Sequence, residues 1–238
     1  MTKKYNDIAG LLLLDKPLGI TSFKATHKIK RVLNVKKTGH CGTLDPAATG
    51  LLLVLTGKAT KLQDKLMKKD KIYTSSFLMG TVTDSDDLEG SIISKNSTMD
   101  INIDRIKKVA KTFEGEILQI PPMYSALKCN GKKLCELARQ GIEVERKPRR
   151  VTIKNFDVLS YCENVAKVCI FCSSGTYIRT LAHDLGSVLG CGATVKALRR
   201  EKIDVFDVKD ALNFEDSDDV SQIMKKLIPY DKLLELIN

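Results

Sequence analysis

The stretch Gly39–Gly50, GHCGTLDPAATG, runs directly into Leu51–Leu55, LLLVL, and its reading decides where the sheet lies and where the chemistry lies. Leu51–Leu55 is an unbroken apolar run of strand length. Asp45 therefore sits in a loop that delivers the chain into a sheet. Around it Gly39, Gly42, Gly50, Ala47 and Ala48 leave little side-chain bulk, and Pro46 stiffens the backbone that aims the carboxylate. Two readings fit: a plain Asp-Pro turn, or a carboxylate held where a large substrate approaches closely. The stretch alone leaves both open. His40 and Cys41 are neighbours in sequence, which does not make them a base and its nucleophile.

Outward from this stretch, Gly10–Leu14 reads as a buried strand closed by a turn at Pro17-Leu18-Gly19. Ser22 is placed to cap a helix reaching about Leu33, with Ile29, Val32 and Leu33 as its apolar face. Lys71–Gly80 alternates as a strand with Tyr73, Ser75, Phe77 and Met79 on one side, and the acidic TDSDDLEG (83–90) follows as a turn. Ile103–Phe113 has helical spacing behind a capping Asn102, and Pro121-Pro122 stops whatever precedes it. Residues 124–150 are polar and basic, with a short helical ELARQG, and read as an insertion lying over a surface. Val165–Cys172 reads as a strand, Thr176–Leu189 as a helix, Thr194–Leu198 as a strand and Ser221–Ile237 as mostly helix. This order predicts an α/β or α+β fold around a central mixed sheet.

Length and composition bound the possibilities. The 238 residues suit one large domain, and 43% apolar with 29% charged residues describes a globular chain. No segment resembles a signal peptide or is long enough to span a bilayer. Seven irregularly spaced cysteines point to reduced thiols in a cytoplasmic protein. The net charge is +10, and its excess gathers in four groups: Lys24 to Lys37, Lys58 to Lys71, Arg146 to Arg150, and Arg199, Arg200 and Lys202. A polyanion such as nucleic acid suits such a surface; a solvated basic face is the plainer alternative.

Cys169 and Cys172 look like a CxxC pair, but residues three apart on a strand point to opposite faces, so structural thiols are expected. His27, His40 and His183 complete no zinc spacing. Asp84, Asp86, Asp87 and Glu89 could hold magnesium, but the turn chemistry of Asp and Ser accounts for them without a metal. No strand–elbow–helix serine and no glycine-rich phosphate loop is present.

Taken together, GLLLLDKPLGITSF, GHCGTLDPAATG, GKATK, the Tyr73 strand, TDSDDLEG, QIPPMYSALK, SGTYIRTLAHDLG and GCGATVKALRR resemble, in this order, the TruB-type bacterial tRNA pseudouridine synthases. The resemblance covers Gly10 to about Arg200. It implies the pseudouridine synthase fold, with a central mixed, mainly antiparallel sheet flanked by helices. It also implies a single catalytic domain over residues 1–238 carrying a basic thumb at about 124–150. The small C-terminal PUA domain of many members is expected to be absent, which would weaken the grip on the acceptor side of tRNA. The implied reaction turns the T-arm (TΨC loop) uridine of tRNA into pseudouridine: the base leaves at N1, turns, and rejoins the same sugar through C5. That isomerisation has no net redox change or hydrolysis and needs no cofactor and no metal.

On this resemblance Asp45 matches the catalytic aspartate: an isomerisation at a glycosidic bond needs a carboxylate beside a flipped nucleotide, either to attack the sugar or to take its proton. Arg179 matches the arginine that pairs with the aspartate, and Tyr73 the tyrosine that stacks on the base. Tyr177 and Leu198 match residues lining the uracil pocket, and His40 a histidine near the flipped nucleotide. Asp87 corresponds to the acidic-turn aspartate, read as an RNA or loop contact. Lys128, Lys132, Lys133, Arg146, Lys147, Arg149 and Arg150 of the thumb would meet phosphates. The expected partner is the tRNA T stem-loop, with no membrane, no obligate protein partner and nothing demanding more than a monomer. A non-catalytic RNA-binding protein and a metal-dependent RNA hydrolase using the Asp84–Glu89 cluster are the competing classes. A guide-RNA-dependent relative would carry extensions that this chain lacks.

Overall fold

The leucine runs explain the first part of the fold. In the computed structural model, which describes residues 4–125, 127–129 and 131–237, the strands Gly10–Lys16 and Ala48–Thr56 pair antiparallel from Gly10↔Thr56 to Lys16↔Gly50. Their apolar runs do not alternate with polar residues because both faces are covered. Leu12, Leu14, Leu52 and Val54 pack with Ala25 and Ile29 of the helix Ser22–Val32, with Leu33 that caps it, and with Ile223 of the helix Val220–Lys226. Leu11, Leu13, Leu51, Leu53 and Leu55 pack on the other side with Leu66, Ile203, Phe206, Leu233 and Ile237. The short strand Thr38–Cys41 pairs with Ala48–Thr56, and Leu212–Asn213 pairs with Gly10–Lys16 in parallel, which makes this sheet mixed.

These elements belong to the first of two compact units, Met1–Lys71 with Arg199–Asn238; the second is Ile72–Leu198. In the second unit the strand Lys71–Met79 buries every other residue, Tyr73, Ser75, Phe77 and Met79 among them, as its sequence predicts. The strands follow in the order Lys71–Met79, Val165–Cys172, Arg149–Cys162 and Gly115–Gln119, with antiparallel pairing across the last three. Phe77 and Phe156 meet edge to face, their centroids 6.2 Å apart. The helix Ile178–Leu189 lies so close to Gly192–Ala193 that a Cβ at Gly186 would overlap their backbone, which explains the glycine of the DLG triplet.

Several elements differ from the sequence reading. Thr21, not Ser22, caps the first helix, its Oγ1 accepting from Lys24 N; the Ser22 hydroxyl is used elsewhere. The fourteen-residue strand Arg149–Cys162 was not anticipated. Its buried residues Val151, Ile153, Phe156 and Val158 change phase at the register shift between Ile153 and Asn155, so no simple alternation shows in the sequence. The last segment is two helices, Val220–Lys226 and Tyr230–Ile237, parted by the strand residues Ile228–Pro229. Within 124–150 the chain forms a hairpin of Lys128–Cys129 with Lys132–Lys133 and the short helix Leu134–Ala138.

Candidate active site

The loop carrying Asp45 is tied down at the backbone on both sides of the carboxylate. The buried Ser22 hydroxyl donates to Leu44 O at 2.9 Å and accepts from Leu44 N at 2.8 Å, which fixes the residue before Asp45. Gly19 N donates to Pro46 O at 2.9 Å, fixing the residue after it, and Ala48 N closes the turn onto Asp45 O at 3.0 Å. The side chain that would have capped the first helix is thus spent on the site loop, and Asp45 is left half-buried on a rigid turn.

Arg200 supplies a third tie that the sequence reading missed. It is 1% exposed, its Nε donates to Leu51 O at 2.8 Å, and its Nη2 donates to Gly42 O at 3.0 Å. One buried guanidinium therefore joins the loop to the strand that follows it. Gly50, at φ +100°, lies against the Arg200 backbone, and a Cβ there would overlap its N and O atoms. This glycine makes room for a neighbouring strand, not for a substrate. His40, on the strand leading into the loop, has its titration pushed down by burial first and by the Arg200 charge second. Its Nδ1 is buried with no hydrogen-bond partner among the described residues. Burial also pushes the Cys41 thiol up to about 12, so it is an inert packing group and not a nucleophile.

The fourth basic group, for which both a polyanion surface and a solvated face fit the sequence, is engaged within the protein. Beside the buried Arg200, Arg199 makes a two-pronged pair with Asp15 at 3.0 and 2.7 Å, and Lys202 pairs with Asp207 at 2.9 Å. Likewise Lys71 is 5% exposed and donates to Met67 O at 2.6 Å. Among the loop and helix cations, Lys24, Arg31, Lys36, Lys37, Lys58 and Lys61 stay exposed.

In the second unit, Arg179 opens the helix Ile178–Leu189 and is 5% exposed. Its Nη1 donates to Ser85 O at 2.9 Å, its Nη2 donates to Tyr124 O at 2.6 Å, and Nη1 lies 3.4 Å from Asp87 Oδ2. Asp87, 6% exposed, also accepts from Ser85 Oγ at 2.6 Å and from Glu89 N at 3.1 Å. Asp84 Oδ1 accepts from Ser91 N at 2.9 Å. The acidic stretch is thus a turn whose carboxylates hold backbone and Arg179, as its turn chemistry suggested. No group of three or more His, Cys, Asp or Glu among the described residues lies together as a metal cage would require.

Tyr73 stands on the buried side of its strand at 8% exposure. Tyr177 precedes the helix Ile178–Leu189 and is held by Gln119, whose Oε1 accepts from Tyr177 N at 3.0 Å and whose Nε2 donates to Tyr177 O at 3.2 Å. Gln119 is 1% exposed; it opens the QIPPMYSALK block and was not singled out by its sequence. Leu198 is half-buried. Of the thumb residues, Lys132 and Arg149 are exposed, Arg146 pairs with Glu143 at 2.8 Å and Arg150 with Glu116 at 2.9 Å. The side chains of Lys128 and Lys133 lie outside the described ones.

Residues 30–178 match the model for the N-terminal domain of TruB family pseudouridylate synthases, and residues 179–237 match that for the C-terminal domain of tRNA pseudouridylate synthase B. Among solved structures, a chain of a Cbf5–Nop10–Gar1 complex is similar over 95% of this chain, with a TM-score of 0.74 and 30% identity. This chain spans 61% of that one. The class is therefore a pseudouridine synthase, an isomerase acting on RNA.

Among curated relatives, tRNA pseudouridine synthase B of Endomicrobium trichonymphae is 74% identical over 96% of this chain and 100% of its own length. The protein of the same name from Dechloromonas aromatica is 45% identical over 98% of this chain and 78% of its own length. The chain belongs to the TruB family, which makes pseudouridine in tRNA.

Proposed function

We propose that this enzyme isomerises the uridine of the tRNA T loop, flipping the nucleotide out of the stack and using Asp45 at the sugar. The observation that carries the reading is the loop itself: three independent ties, from Ser22, Gly19 and Arg200, hold the backbone around a single half-buried carboxylate. A group held this firmly loses little entropy when it meets the sugar. Covalent attack and removal of a sugar proton both require that carboxylate ionised and placed beside the flipped nucleotide, and the products of either are the same isomer. Arg179 keeps the aspartate charged and oriented, Tyr73 stacks on the base, and Tyr177 and Leu198 line the uracil pocket. His40, neutral near pH 7 because of its lowered titration, contacts the nucleotide as an uncharged group. Asp87 acts on the RNA through the turn and Arg179.

The exposed Lys132 and Arg149, with Lys128 four residues before Lys132, meet phosphates of the T stem, and the loop's shape and unstacked bases supply specificity. The enzyme works as a monomer in the cytoplasm, the location being supported by six free cysteines among the described residues. A stand-alone enzyme is favoured over a guide-RNA-dependent one because the 74% identical relative bears the name tRNA pseudouridine synthase B. The test is tritium release from a T-arm hairpin labelled at C5 of its uridines, followed by mapping of the modified position. Release at the T-loop uridine with an intact RNA chain is expected; cleavage of the chain, or release spread over all uridines, overturns the proposal.

A further inference from the structure

Arg179 and His183 stand four residues apart on the helix Ile178–Leu189, so both side chains leave the same face. Both reach the acidic turn. Arg179 takes Ser85 O and Asp87, while His183 Nδ1 lies 3.0 Å from Asp86 Oδ1. Asp86 is the most demanding residue of that turn: its φ is +60°, a left-handed conformation that a residue with a Cβ adopts at a cost. Its carbonyl accepts from Val195 N at 2.9 Å, which holds the backbone from one side, and His183 holds the side chain from the other. None of the roles assigned above uses His183.

We propose that His183 is a positioning residue: its ion pair with Asp86 holds the turn in the conformation that seats Arg179, so the rate of the reaction follows the charge on this imidazole. The proposal rests on the reading of Arg179 as a catalytic residue. The charged groups facing the imidazole are Asp86 from the turn and Asp184 from its own helix. The hydrogen bond to Asp86 raises the His183 titration above its ordinary 6.5, against the opposing effect of burial, and both carboxylate charges add to the rise. Burial pushes the Asp184 carboxyl up. Because the folded-state titration is raised, the ionic clamp is complete at low pH and is lost as pH rises through it; above that a neutral hydrogen bond remains. His183 is 45% exposed on its side chain, so the expected effect is the modest one of a partly solvated pair, about two- to fivefold in rate.

The experiment is single-turnover pseudouridine formation on a T-arm hairpin at saturating enzyme, from about pH 5 to 8, for wild type, His183→Gln, Asp86→Asn and the double variant. Asparagine accepts the left-handed backbone, so Asp86→Asn removes the charge and keeps the turn. The wild-type rate should exceed that of each single variant by about two- to fivefold at the acid end, and the ratio should fall toward one as pH rises. The double variant should lose no more than either single one, and RNA affinity should not change. In parallel the His183 ring proton, followed by NMR, should titrate at lower pH in Asp86→Asn. A ratio flat with pH, additive losses, or an affinity loss confined to His183→Gln would overturn the proposal, the last by making His183 an RNA contact. Arg179→Lys separates the two readings: if it keeps full rate, the role of Arg179 fails, while the NMR titration still reports whether the clamp exists.

Discussion

Replacing Arg200 by methionine tests the claim that a buried cation holds the catalytic loop. The change nearly conserves volume and removes two hydrogen bonds, to Leu51 O and Gly42 O, at a site 1% exposed. Hydrogen bonds from a charged donor contribute about 1.5–3 kcal/mol each, so their loss alone would cost about 3–6 kcal/mol. Removing a buried charge that is held by backbone carbonyls also relieves desolvation, which offsets part of that. A net destabilisation of about 2–3 kcal/mol follows, or about 4–12 °C in Tm for a chain of this size. Differential scanning calorimetry reads the Tm, and single-turnover pseudouridine formation reads the loop. The His40 titration should move up toward its ordinary 6.5, because the Arg200 charge is one of the two causes holding it down. A Tm within about 1 °C of wild type, with full activity and an unmoved His40, would refute the brace.

Other outcomes follow from the same contacts. Ser22→Ala should cost about 1–3 kcal/mol by stranding Leu44 N and O, and should speed hydrogen exchange at the Leu44 amide; unchanged exchange would remove Ser22 from the site's support. Gly50→Ala should fail to fold or lose activity through its clash with Arg200, whereas Gly19→Ala, with open space around it, should cost only about 1 kcal/mol for its left-handed backbone. Since His40 has a lowered folded-state titration, the unfolded chain takes up the proton more readily, so its contribution to stability should fall as pH drops below about 6.5 and be gone below the folded value. Thermal melts of wild type and His40→Gln between about pH 5 and 8 should converge or cross at the acid end, and parallel curves would contradict this. With a titration pushed up to about 12, Cys41 should resist alkylation at pH 8 while exposed Cys162 reacts.

How legible all this was depends on what each residue signals locally. The unbroken runs Leu11–Leu14 and Leu51–Leu55 and the alternation of Lys71–Met79 have strong periods, and both became strands where expected. Arg149–Cys162 was hidden because its bulges slip the alternation by one residue, and a pattern read with a fixed period of two dissolves. Asp45 stood out by its setting, but the reason for that setting did not. By sequence Gly50 fits either a turn or room for a substrate, and in the fold its missing side chain makes room for the Arg200 backbone. Arg199, Arg200 and Lys202 have the composition of a phosphate-binding cluster; only the fold reveals that Asp15, two carbonyls and Asp207 occupy them. Gln119 and the Asp86–His183 pair join residues far apart in the chain, and nothing local announces such a contact.

The central claim is that Asp45 performs the chemistry in an otherwise unchanged RNA complex. The direct measurement is tritium release from a C5-labelled T-arm hairpin by wild type and by Asp45→Asn, with RNA affinity measured on the same samples. The account predicts release by wild type alone, at equal affinity; comparable release by Asp45→Asn would contradict it.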